Sequence, residues 1–242
     1  MTSVAILQPS YLPWIGYFDQ IDRADIFVFY DDVQYDKHGW RNRNRLKGPA
    51  GPVWITVPVL HSGRFGQLIN AVEIDRRQDW GRKHVLMLSQ LYARAPHSSD
   101  YLPELSDLLQ RDWARLSDLA IAATRLMARW FGIAAQFHLS SELCIPGERS
   151  ERLLAICRRF GADRYISGDA AQAYLDVDRF RADGIDVVWQ NYRHPEYPQR
   201  FGAFVPYLSA IDLLCNAGRE SLTIIRRGRA SLSADSFEVT KG

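Results

Sequence analysis

Between Lys37 and Lys47 the chain reads Lys37-His38-Gly39-Trp40-Arg41-Asn42-Arg43-Asn44-Arg45-Leu46-Lys47, a cation at nearly every second position with an indole and two amides among them. A guanidinium makes two parallel hydrogen bonds to a phosphate or carboxylate, and an asparagine amide adds a third, so Arg43, Asn44 and Arg45 have the chemistry of an anion clamp. The formal net charge is only +2, and no basic stripe extends the cluster toward a nucleic-acid footprint. A phosphorylated or nucleotide-linked small molecule fits its scale. A second concentration is Gln8-Pro9-Ser10-Tyr11-Leu12-Pro13-Trp14-Ile15-Gly16-Tyr17-Phe18. Here Gln8 offers amide hydrogen bonds, Tyr11 a flat face for a base or sugar, Trp14 and Tyr17 further ring surface, and Gly16 room for a close approach. The helical spacing of Trp14, Tyr17 and Phe18 also suits core contact.

Groups able to move a proton are fewer. Asp31-Asp32-Val33-Gln34 follows a dense run of β-formers, and the two carboxylates can act as a general base, a metal anchor or a capping pair. Alternate residues of a strand face opposite ways, so one of the two enters a site. His194, in Tyr192-Arg193-His194-Pro195-Glu196-Tyr197-Pro198, is the histidine best surrounded by groups that orient it and tune its pKa toward neutrality, with Tyr197 beside it. Ser167-Gly168 forms a turn after a late strand. No histidine or cysteine spacing points to zinc. Cys144, Cys157 and Cys215 are odd in number and far apart, which argues for reduced thiols rather than a disulfide framework. A magnesium ion is expected only if a nucleotide triphosphate is used. GxSxG, Walker and GxGxxG motifs are absent from the sequence.

The elements that must position these residues alternate. Val4–Leu7, Asp25–Tyr30, Gln136–Leu139, Arg164–Ile166 and Asp186–Asn191 read as strands, with helices over Pro13–Arg23, Ser150–Phe160, Asp178–Ala182, Tyr207–Cys215 and Glu220–Arg227. Val53–Leu60 and Ile69–Ile74 read as a hairpin joined by His61–Gly66, and Lys37–Lys47 as a basic loop. The stretch from 79 to 132 is helical, one helix to Tyr92 and a longer region capped at Ser99 or Asp100. This rhythm predicts an α/β fold: a mostly parallel, Rossmann-like sheet with a helical insertion or cap. Residues 1–229 form one domain on this reading, and 230–242 a frayed tail. At 242 residues and 47% hydrophobic, with no apolar run of membrane-spanning length, the sequence predicts a soluble, cytoplasmic protein that neither inserts in a membrane nor binds nucleic acid.

The motifs beginning Gln8-Pro9-Ser10-Tyr11-Leu12-Pro13-Trp14, together with Asp31-Asp32-Val33-Gln34, Arg43-Asn44-Arg45, Trp54-Ile55-Thr56-Val57-Pro58-Val59, Tyr165-Ile166-Ser167-Gly168 and His194-Pro195-Glu196-Tyr197, resemble the WbqC-like family of bacterial proteins in order along the chain. The resemblance implies a setting in surface polysaccharide or modified-sugar synthesis, near aminotransferases and carrier proteins, and so an acyl or peptidyl carrier protein as partner. It leads to the expectation of a transferase that modifies a nucleotide-linked amino sugar by acyl or aminoacyl transfer to the amine. In that scheme Arg43, Asn44 and Arg45 hold the diphosphate, Tyr11 and Trp14 shape the pocket, and His194 or Asp31 takes the amine proton. The layout is also similar to nucleotidyltransferase-like and class I synthetase-like sheets, which makes a nucleotide-dependent ligase or nucleotidyltransferase the alternative. Where those enzymes carry His-x-Gly-His, this chain has Trp14-Ile15-Gly16-Tyr17. A non-catalytic adaptor for a carrier protein or biosynthetic enzyme is the third reading.

Overall fold

A computed structural model describes residues 1–37 and 39–229, so the expected frayed tail at 230–242 lies outside the described residues. The chain opens with β1 (Ser3–Leu7), α1 (Ile15–Arg23) and β2 (Ile26–Phe29). A hairpin of β3 (Arg43–Gly48) and β4 (Gly51–Thr56) follows, then three helices, α2 (Trp80–Tyr92), α3 (Ser98–Leu109) and α4 (Leu116–Phe131). Alternation resumes with β5 (Gln136–Leu139), α5 (Ser140–Leu143), α6 (Arg149–Arg159), β6 (Arg164–Ser167), α7 (Val177–Ala182) and β7 (Asp186–Trp189). Helices α8 (Ala210–Ala217) and α9 (Ser221–Arg227) complete it.

Five strands form one parallel sheet in the order β5-β2-β1-β6-β7, with Val4 opposite Ile26 on one side of β1 and Tyr165 on the other. The two-residue period of the strands divides the apolar side chains between two cores. Val4, Ile6, Val28 and Tyr165 pack against Leu153, Ile156 and Cys157 of α6 and Phe180 of α7. Ala5, Phe27, Phe29 and Ile166 face the larger core, which takes Phe18 of α1, Met127 of α4 and Leu214 of α8. Helix α4 stops at Gly132, whose φ of +74° is the left-handed conformation that glycine adopts without a Cβ penalty. Among the described residues no helix is long and apolar enough to cross a membrane.

Two local expectations are corrected. The second half of the basic stretch is a strand rather than a loop: β3 pairs antiparallel with β4 from Arg43 opposite Thr56 to Gly48 opposite Gly51. The expected pairing of Val53–Leu60 with Ile69–Ile74 reduces to the single bridge Val59–Ile74, and Ile69–Ala71 is a short 3-10 turn. The Gly48-Pro49-Ala50-Gly51 turn, with Gly51 at φ +121°, closes a hairpin across far less chain than the 61–66 loop would. The long helical region after Tyr92 is two helices, α3 and α4, broken between Leu109 and Leu116.

Candidate functional site

Counted in chain order, the sheet strands lie third, second, first, fourth, fifth. The chain therefore leaves β1 toward one side of the sheet and arrives at β6 on the other. The crevice at the carboxyl ends of such a pair is where open α/β sheets bind ligands. A cavity of about 460 Å³ begins there, against Leu7 at the end of β1. One wall is the start of α1 and the loop before it: Ser10, Pro13, Trp14, Tyr17 and Gln20. The facing wall comes from the run into β3, with Trp40, Arg41, Asn44 and Arg45, and Tyr207 closes the rim.

Backbone hydrogen bonds lace these segments together. Tyr11 N–H donates to the Arg41 carbonyl at 2.9 Å, Ser209 N–H to Arg45 at 2.8 Å, and Ala210 N–H to Pro13 at 2.8 Å. The Asn44 amide, 3% exposed, donates to the Leu12 carbonyl at 2.7 Å. Leu12 has φ +43° and Tyr207 φ +59°, a region that costs non-glycine residues energy. Both carbonyls are held, Leu12 by Asn44 and Tyr207 by the Arg45 guanidinium at 3.4 Å.

The cavity's electrostatics are one-sided. Arg41 donates from Nη1 to Ser10 Oγ at 2.8 Å, and among the described residues no carboxylate pairs with it. Burial lowers the pKa of Arg41, the mark of a cation deprived of water, against the smaller opposing influence of Tyr17 and the Asp36 carboxylate. Arg45 lies over the Trp40 ring at 5.3 Å, Arg43 over Trp54 at 4.8 Å, and the two indoles are 5.0 Å apart. No aspartate or glutamate lines the cavity. Buried side-chain polar atoms without a partner among the described residues include Gln20 Oε1, Arg41 Nε and Arg45 Nε, which belong to residues of its wall, and His194 Nε2 behind it. These atoms have almost no accessible surface, so they are buried within the wall rather than open to the cavity.

Of the residues singled out from the sequence, Trp14, Tyr17, Asn44 and Arg45 line this cavity together. Arg43 stands just outside, on Trp54, with its Nε donating to the Gly39 carbonyl at 3.3 Å. Gln8 contributes its carbonyl, which accepts the Tyr17 hydroxyl at 3.1 Å. Gly16 serves Trp14: a Cβ there would lie 2.2 Å from the indole, which folds back over the first turn of α1. Gly168 packs beside the Gln20 amide, and Ser167, 3% exposed, accepts the Gln190 N–H through its carbonyl.

Other anticipated residues are engaged elsewhere. Tyr11 is fully buried, its hydroxyl 2.8 Å from His84 Nδ1. Asp31 accepts from Ser140 Oγ at 3.0 Å, Ser141 N–H at 3.0 Å and Ser141 Oγ at 2.7 Å, capping α5. Asp32 pairs with Arg152, whose guanidinium lies over Tyr30 at 5.1 Å. Gln34 is exposed and lines a different, more polar groove of about 660 Å³ beside the 61–67 loop, away from the sheet's switch point. Tyr197 donates to the buried Asp212 at 2.9 Å. His194 sits one layer behind the cavity, its ring 6.2 Å from Trp14 and 5.4 Å from Tyr207. Its Nδ1 donates to the Pro195 carbonyl at 3.0 Å, which leaves Nε2 as the bare acceptor, and burial lowers its pKa so that the ring is neutral at pH 7. Among the described residues no group of three or more histidine, cysteine or acidic side chains converges as a metal site.

Ser10, Gln20, Trp40, Arg41 and Tyr207 complete the cavity although none was singled out from the sequence as a site residue. Arg41 carried a signal, since it belongs to the same alternating series as Arg43 and Arg45. Gln20 carried none, because a glutamine inside a helix reads as surface.

The model of the WbqC-like protein family matches residues 8–224, a span that includes every cavity residue except Leu7. An uncharacterized protein of Mycobacterium tuberculosis is 38% identical over 228 residues, covering 93% of this chain and 98% of the relative. No solved structure matches the chain.

Proposed function

The chain belongs to the WbqC-like protein family, and from that premise we propose that it is a transferase acting on a nucleotide-linked amino sugar, by acyl or aminoacyl transfer to the amine, in surface polysaccharide or modified-sugar biosynthesis. The observation that carries this reading is Arg41: a guanidinium partly withdrawn from water, without a carboxylate partner among the described residues, in a cavity at the sheet's switch point. A phosphate bound there supplies the direct ion-pair partner that Asp36, which acts on Arg41 only from a distance, does not, and Arg45 lies on the same wall to share it. Trp40 in the cationic wall and Trp14 in the wall facing it offer ring surface, one for a base and one for a sugar.

In this scheme His194 backs the Trp14 and Tyr207 rings of the wall, and it takes the amine proton only once those rings move aside. Its neutral ring offers Nε2, and it contacts two aromatic side chains of the cavity wall, Trp14 and Tyr207. Asp31 and Asp32 act through the fold, fixing α5 and Arg152. The ligase or nucleotidyltransferase reading is less well supported, because the Trp14 indole covers Gly16 at the helix start where such enzymes seat phosphates.

Isothermal titration with UDP, dTDP and their sugar conjugates tests the reading. Binding of at least one is expected, and Arg41→Met should weaken it by roughly 10- to 100-fold, the loss of a charge-assisted hydrogen bond. Binding by none of them, or an unchanged affinity in Arg41→Met, overturns it.

A further inference from the structure

The cavity is buried at one end and open at the other, and its two cations stand at different depths. Ser10 and Tyr17 are buried, whereas Trp40 is 44% and Tyr207 52% exposed, so the mouth lies at those two rings. Arg41, whose Nη1 donates to Ser10 Oγ, belongs to the inner end. Arg45, over the Trp40 ring and with Nη2 on the Tyr207 carbonyl, belongs to the mouth. The aromatic surface does not stop there. Trp54 is not part of the cavity lining, but it lies directly opposite Arg45 in the register of β3 and β4, on the same face of the hairpin. Its indole is 5.0 Å from that of Trp40, carries the Arg43 guanidinium at 4.8 Å, and is 45% exposed. Two adjacent indoles with nearly half their surface in water, and guanidiniums from alternate positions of one strand over them, make a ring platform that continues the cavity outward.

A nucleotide-linked sugar has one flat end and one that is not. With its diphosphate between Arg41 and Arg45, one end enters the buried part of the cavity and the other passes the mouth. A planar base gains from stacking on exposed indoles and guanidiniums, and does so whichever base it is. A sugar lacks the flat ring that would draw it to the same surface. We infer that Trp40 and Trp54, with Arg43 and Arg45, form a nucleobase subsite outside the cavity, so that the ligand binds with its base outward and its sugar inward. This rests on the nucleotide-sugar reading and deepens it, because the sugar then takes the inner end, where a transfer step is shielded from water.

The test uses 5-bromo-UDP and its hexose conjugates, whose base forms a photoadduct with an aromatic side chain that touches it. Isothermal titration of the full chain establishes that the analogue binds, and irradiation followed by peptide mass spectrometry locates the adduct. It should fall on Trp40 or Trp54. In parallel, Trp54→Ala should weaken UDP and dTDP by about tenfold, the loss of one stacking partner, and Trp54→Tyr should restore most of that affinity. An adduct on Trp14 or Tyr17, no adduct on either outer indole although the analogue binds, or an unchanged affinity in Trp54→Ala overturns the inference. A loss that Trp54→Tyr does not restore belongs to the hairpin's packing rather than to stacking, and overturns it too. In each of these cases the nucleotide-sugar reading stands if Arg41→Met still weakens binding. If none of the nucleotide probes binds, both readings fall.

Discussion

At the scale of single residues, His84 carries a consequence for pH. Its Nε2 lies 3.1 Å from the Thr56 carbonyl, which can only accept, so the proton is on Nε2 and Nδ1 accepts the Tyr11 hydroxyl. Burial pushes its pKa down to about 4. The unfolded chain therefore binds a proton that the folded chain refuses across the window from the ordinary value of 6.5 down to about 4. Stability contributed by neutral His84 is complete above that window and is lost as pH falls through it, up to about 3 kcal/mol. Urea unfolding at pH 7.5 and 4.5 should show the decline, and His84→Gln, which keeps an acceptor and a donor, should flatten it. The same contact explains why Tyr11 was legible as an important residue but not in its role. Its type suits stacking on a ligand, whereas its partner stands in a helix 73 positions away, and no local pattern announces such a pairing. Arg45 and Asn44 were legible because the cation spacing lay within one short stretch.

At the scale of elements, the glycines decide which helices can come close. A Cβ at Gly16 would meet the Trp14 indole at 2.2 Å, and one at Gly81 the Leu109 carbonyl at 2.4 Å, where α2 approaches the end of α3. Each alanine variant should lose about 1–3 kcal/mol, the usual cost of overpacking, measurable by chemical denaturation. They should differ in binding: Gly16→Ala displaces a cavity wall and weakens nucleotide-sugar affinity, whereas Gly81→Ala does not touch the cavity. The parallel strands were readable from the sequence because buried strands such as Phe27-Val28-Phe29 are continuous apolar runs. Strand β3 escaped because Arg43-Asn44-Arg45-Leu46-Lys47 has the composition of a loop. Its residues become strand through pairing with β4 and through the buried contacts of Asn44 and Leu46, and tertiary context of that kind overrides propensity.

At the scale of the molecule, the end of the described chain is clipped to its beginning. Arg229 reaches both Asp19 and Asp22 of α1, and Arg226 joins at Asp22. Asp19 is fully buried, so Arg229→Ala leaves a dehydrated carboxylate short of a partner and should cost about 3 kcal/mol, read as a lower urea midpoint. The alternation of strands and helices made the α/β class legible, but this long-range clip has no signature in a single sequence. The strand order has a further consequence, which concerns synthesis. β1 is the middle strand of the sheet, and its second neighbour, β6, emerges from the ribosome roughly 160 residues after it, a delay of about 8–30 s at ordinary elongation rates. Through that interval β1 and β2 can pair while the other edge of β1, apolar on both faces, stays open. The nascent chain thus carries a sticky half-sheet for most of its translation, and chaperone occupancy should concentrate on it until Arg164–Ser167 arrives.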